Sequence, residues 1–135
     1  MLRKYNYNLE TGTVGTDDDN IASILYHINR MEMRKSYSCS NITELDKTLG
    51  ELYFMVSDSK VHLNRFLEIF GEKVKTETVN KIVAALDNAF QTIDDAMMED
   101  PDTEKMCKAF PEVYKNLLEI VPTILALDAQ AVGRV

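Results

Sequence analysis

Thr76-Glu77-Thr78-Val79-Asn80-Lys81-Ile82-Val83-Ala84-Ala85-Leu86-Asp87-Asn88-Ala89-Phe90-Gln91-Thr92-Ile93-Asp94-Asp95-Ala96-Met97-Met98 is the stretch whose reading decides the fold. Val79, Val83, Leu86, Phe90, Ile93 and Met97 recur at alternating gaps of four and three, and Ile82, Ala89 and Ala96 fill in beside them. That spacing draws one continuous stripe along an α-helix, while Asn80, Lys81, Asp87, Asn88, Gln91, Asp94 and Asp95 fall on the other side. At ~1.5 Å per residue the helix spans about 35 Å, roughly the width of a small domain. Left wet, such a stripe would expose nine apolar side chains in a row. Residues 76–98 are therefore predicted to be the central helix of a bundle, enclosed by the remaining elements.

Upstream, Asn41-Ile42-Thr43-Glu44 has the form of a capping box, and Ile42, Leu45, Leu49, Leu52 and Val56 continue it as a helical stripe. Leu63, Phe66, Leu67 and Phe70 stay in phase, so 41–70 reads either as one long bent helix or as two helices divided at Ser57-Asp58-Ser59. Gly50 costs this segment up to ~1 kcal/mol relative to alanine, which points to a close backbone approach or to simple tolerance. Gly71 reads as the residue that ends it, and Thr76 as the cap of the next helix. Further upstream, Asp17-Asp18-Asp19-Asn20 precedes the stripe Ile21, Ile24, Leu25, Ile28, Met31. Those aspartates suit a helix start, where carboxylates cap free N–H groups and favour the positive dipole end. Residues 1–16 carry no helical pattern and read as an N-terminal arm or small hairpin.

Downstream, Glu99-Asp100-Pro101-Asp102-Thr103 reads as a loop. A short helix is expected over 104–110, with Met106, Cys107 and Phe110 inward. Pro111 then opens a last helix in the position where its missing N–H costs nothing. That helix buries Val113, Tyr114, Leu117, Leu118, Val121, Ile124 and Leu125. Pro122 must kink or split it, because the ring collides with the preceding turn. The tail beyond Asp128 reads as frayed. The sum is an all-α fold: a compact bundle of five to six helices in a single domain over 1–135.

The chain has 135 residues, 45% of them apolar, enough for a real core. No apolar run approaches the ~18 residues of a membrane span, and Met1-Leu2-Arg3-Lys4-Tyr5 lacks the apolar centre of a signal peptide. A cytoplasmic protein is the expectation, with Cys39 and Cys107 as buried free thiols rather than a bridge. The net charge of −7 argues against direct nucleic-acid binding, which needs a basic patch, and against anionic membrane surfaces.

Three constellations could carry function. His27-Ile28-Asn29-Arg30-Met31 is echoed by His62-Leu63-Asn64-Arg65-Phe66. The echo is read as two helices offering His and Arg to one anionic or metal ligand, as coincidence between amphipathic helices, or as a duplicated helical hairpin without any site. An acidic cluster, Asp94, Asp95, Glu99, Asp100, Asp102 and Glu104, could dock a basic partner surface. Tyr53, Phe54 and Met55 widen the apolar arc of their helix from Leu52 to Val56, and a helix apolar on two sides is either surrounded or faces a partner.

Neither histidine has glutamate three residues before it, so no di-metal carboxylate site is expected. No nucleophile elbow, phosphate loop or dinucleotide fingerprint occurs. The expectation is a non-enzymatic protein with no metal, cofactor or catalytic residue. It would bind another protein or its own copy through Tyr53, Phe54 and Met55, with the acidic residues Asp94, Asp95, Glu99, Asp100 and Asp102 as a second patch. The alternative is a small-molecule sensor holding an apolar ligand in the bundle core beside His27 or His62.

Overall fold

The computed structural model describes residues 18–34, 41–97, 103–131 and 133, the side chains of 32–34 excepted. The arm 1–16, Cys39 and the acidic loop 98–102 lie outside the described residues. Those residues are all-helical: four long α-helices and a short fifth, with no strand among them. They are α1 Asp19–Arg34, α2 Ile42–Phe70, α3 Thr76–Ala96, α4 Thr103–Glu119 and α5 Val121–Ala131, with a 3₁₀ turn at Gly71–Lys73.

The starts of α1 and α2 have visible causes. Asp18 Oδ1 accepts from the backbone N–H groups of Asn20 and Ile21 at 2.9 and 3.0 Å. Asn41 Oδ1 accepts from Thr43 and Glu44 at 3.0 and 3.2 Å. Each oxygen satisfies donors that the first helical turn leaves orphaned. The segment 42–70 is one continuous helix, because Leu49, Leu52, Val56, Leu63 and Phe66 keep a single buried face through Ser57-Asp58-Ser59. Buried Ser59 turns its hydroxyl back to the Met55 carbonyl at 2.7 Å and so needs no cap role. Gly71 ends α2 in a right-handed conformation (φ −54°), donating its N–H to Leu67, so no left-handed residue is required there. Among the described residues no atom outside the helix's own backbone lies within 4 Å of a Cβ built at Gly50, so no close backbone approach is seen there and tolerance accounts for the glycine.

Two expectations about architecture are corrected. The first concerns centrality. α3 packs against α2, α4 and α5, but it buries only one stripe, Ile82, Leu86, Ala89, Ile93 and Ala96. Met97 at its end is exposed. The 29-residue α2 likewise packs on three helices, α1, α3 and α4, and it is α4 that packs on all four of the others. An unbroken stripe records one buried face; it does not place a helix in the middle. The second concerns 104–110, which is not a separate helix. α4 runs from Thr103 through Pro111 to Glu119, burying Met106, Ala109, Phe110, Val113 and Leu117. Pro111 is exposed, and the apolar face continues past it in phase, so packing outweighs the lost N–H. The break falls at Ile120, and Pro122 occupies the first turn of α5, where a proline is tolerated.

α5 is not frayed. It is apolar nearly all round and buries Asp128, Gln130 and Ala131 beyond Leu127. Gln130 holds the start of α3: its Oε1 accepts the Lys75 N–H at 2.8 Å and its Nε2 donates to Thr78 Oγ1 at 2.9 Å. Lys75, not Thr76, is the capping position of α3, and this distant amide does the work of a cap side chain. The free-thiol expectation is also corrected for Cys107, which is disulfide-bonded. The sequence contains one other cysteine, Cys39.

Candidate functional site

α1 and α2 form an antiparallel pair, and the polar residues along their seam converge on one carboxylate. His27 on α1 is buried, and its Nε2–H donates to Asp58 Oδ2 at 2.7 Å. His62, one turn beyond Asp58 on α2, brings its Nε2 to 3.3 Å from the same oxygen. Its Nδ1–H donates to Asn20 Oδ1, in the first turn of α1, at 2.9 Å. The two histidines of the sequence echo thus meet at an anion, and the anion is the chain's own Asp58. Because a carboxylate can only accept, His27 carries its proton on Nε2, and Nδ1 is left as a buried nitrogen with no partner. The Oδ1 of Asn29, on the opposite edge of α1, is likewise buried without a partner.

The hydrogen bond from His27 holds the Asp58 carboxyl below its ordinary value of 3.8. Partial burial works the other way, and the proximity of His62, His27 and Arg65 adds to the lowering. Asp58 is therefore ionised at neutral pH and clasps the two helices. His27 bonds Oδ2, and His62 Nε2 lies against the same oxygen at 3.3 Å without a proton to donate in a neutral ring, since its N–H is used on Asn20; neither bonds Oδ1. Among the described residues no group of three His, Cys, Asp or Glu side chains could hold a metal ion.

Outside this clasp the hairpin presents aromatic surface. Phe54 is 63% exposed and sets its ring edge-on to His27, with centroids 6.4 Å apart. Tyr26 is half exposed, and the Arg30 guanidinium lies 5.8 Å over its ring. Arg30, Gly50, Glu51, Phe54 and Met55 line an open hollow of about 450 Å³. On the other flank Tyr53 packs on Phe90 of α3 at 5.1 Å, beside the Lys60–Asp87 ion pair at 2.9 Å.

Of the residues singled out from sequence, Tyr53 and Phe54 are exposed. Met55 is not: it is 3% exposed and belongs to the core, because it points toward α1. Asp94 and Asp95 are exposed at the end of α3, and Asp95 accepts from Gln91 at 2.8 Å. Glu99, Asp100 and Asp102 lie outside the described residues. His27 and His62 come together, but around Asp58 rather than around a cavity in the bundle core. Sequence reasoning passed over Asp58, although its i,i+4 spacing to His62 was a usable signal. It also passed over Val61 (43% exposed) and Ile69 (67% exposed), two apolar residues that the core does not use.

Compared with known proteins, the chain matches no family model, no curated protein and no solved structure. No described helix is long and apolar enough to cross a membrane.

Proposed function

We propose that this protein works by binding rather than by chemistry, presenting the outward face of α2 to another protein surface. One observation carries the reading. Phe54, Val61 and Ile69 stand exposed on the side of α2 opposite Leu52, Val56, Leu63 and Phe66, three large apolar side chains that the core leaves largely in water. An α-helical ridge with apolar residues at roughly heptad spacing is a common recognition element. The His27–Asp58–His62 clasp supports the reading by joining α1 to the flank of that ridge, so the ridge is held rigid before a partner arrives. The acidic end of α3, at Asp94 and Asp95, would act at longer range by steering a basic partner.

The test is a photo-crosslinking amino acid placed at Phe54 and, as a control, at exposed Asn88 on α3. Adducts with one defined protein at position 54 and none at position 88 support the reading. Equal labelling at both positions, or none at either, removes it. A second reading, an apolar small molecule in the hollow beside Phe54 and His27, is favoured by the open space over Gly50. Native mass spectrometry of freshly purified protein tests it: a bare mass counts against a bound ligand.

A further inference from the structure

The outward stripe of α2 is more than apolar: it is self-complementary. At ~100° per residue, Phe54, Asp58, Val61, Arg65 and Ile69 fall within an arc of about 80° on the side of α2 away from Leu52, Val56 and Leu63, bordered by α1 at Phe54 and Asp58. Asp58 and Arg65 lie three and a half residues either side of the point between Val61 and His62. Phe54 and Ile69 lie seven and a half residues either side of that same point. A two-fold axis through it lays α2 antiparallel on a second α2. Each Asp58 then faces Arg65 of the second copy, each Phe54 faces Ile69 of the second copy, and the two Val61 residues meet near the axis. A single register satisfies both the charges and the apolar groups, which is the property an isologous interface requires.

Asp58 is bonded within the monomer through one oxygen only, and the other groups carry no hydrogen bond or ion pair among the described residues. His27 and His62 both approach Oδ2 of Asp58, so neither occupies Oδ1, on a side chain 32% exposed. Arg65 is exposed and influences Asp58 only through space. Phe54 and Ile69 are the two most exposed large apolar residues among those described. Two like-charge encounters arise in this register: Glu51 with Glu72 of the second copy, where Glu72 lies past the C-terminal end of α2, and exposed Glu68 about one helical turn along the axis from Asp58 of the second copy.

We infer that the occupant of this face is a second copy of the chain, in an antiparallel α2–α2 dimer with its axis between Val61 and His62. This rests on the reading of α2 as the docking face and names its partner. A seam one helix wide sits at the small end of specific interfaces, so the dimer dissociates in the micromolar range or above. Each chain carries −7, a repulsion screened over ~8 Å at physiological ionic strength, so association is measured there.

The experiment is sedimentation equilibrium of the intact chain from about 10 µM to about 1 mM, a range chosen for a weak interface. It is combined with nitroxide distances from labels on a ketone amino acid at position 54, 61 or 69. Expected are a reversible dimer, a dissociation constant raised at least ~10-fold by Arg65→Glu, which turns two attractive pairs repulsive, and loss of dimer in Phe54→Asp. The 61–61 distance should be the shortest, with 54–54 and 69–69 each offset by about 22 Å along the helix at ~1.5 Å per residue. A monomer throughout the range overturns the inference, as does a dimer indifferent to Arg65→Glu, or equal distances at all three positions, which mean parallel packing. A monomer that still crosslinks another protein from position 54 sinks this inference and leaves the proposed function standing.

Discussion

Replacing Asp58 by alanine tests whether the clasp between α1 and α2 holds the ridge. In the native protein the buried His27 ring has one hydrogen bond, to Asp58 Oδ2 at 2.7 Å, and its Nδ1 already lacks a partner. Asp58→Ala leaves both ring nitrogens unsatisfied inside the fold. A buried unsatisfied group costs ~1–3 kcal/mol, and a hydrogen bond to a charged group is worth a similar amount. These overlap rather than add, and the carboxylate is one-third exposed, which screens its share. The expected loss is about 2 kcal/mol, or a melting temperature lower by roughly 6–10 °C for a domain of this size. Circular dichroism melts at pH 7 read it directly. In a His27→Phe background, where no ring nitrogen needs a partner, the same substitution should cost less than about 1 kcal/mol, since contacting residues couple. The pH dependence has a fixed sign. The Asp58 pKa is lowered in the folded state, so its contribution is fully present above the unfolded value near 3.8 and fades as pH falls through the folded value. The gap between wild type and Asp58→Ala should therefore close on acidification below pH 3.8. A cost under about 0.5 kcal/mol, an equal cost in both backgrounds, or a gap that persists at the lowest pH would refute the clasp.

Two further substitutions probe features that sequence alone left ambiguous or hidden. Gly50→Ala should stabilise by up to ~1 kcal/mol, because a Cβ there meets open space and alanine restricts the unfolded chain; chemical denaturation gives the sign, and destabilisation would mean that the hollow is filled in solution. Gln130→Ala should cost about 2 kcal/mol by removing both hydrogen bonds that anchor the start of α3. Amide exchange should then quicken over Lys75–Val79, and an unchanged pattern there would show that α3 is capped some other way.

The helical class was legible because the stripes of α1, α2 and α3 repeat at intervals that only a helix places on one face. Asp18 and Asn41 were legible as caps for the same local reason. Centrality was not, since α3 has a long unbroken stripe yet buries one side, while α4, which packs on all four other helices, has a pattern interrupted by Pro111. Pro111 misled because an interior proline is normally costly; the continuity of Phe110, Val113 and Leu117 on a buried face outweighs it. Of the site, exposed Phe54 and Tyr53 could be seen as surplus apolar residues, but Met55 could not be separated from them without knowing on which side α1 lies. The meeting of His27 with Asp58 spans 31 residues, and that of Lys75 with Gln130 spans 55. Such contacts depend on tertiary register, to which a local pattern is blind.

The central claim is that Phe54 and Ile69 serve docking and not folding. Measuring thermal stability and association side by side for the double variant Phe54→Asp, Ile69→Asp tests it most directly. Both side chains are largely in water, so the melting temperature should stay within about 2 °C of wild type, as surface substitutions do, while association is lost. A collapse in stability would assign these residues to the fold, and undiminished association would place the docking surface elsewhere on the molecule.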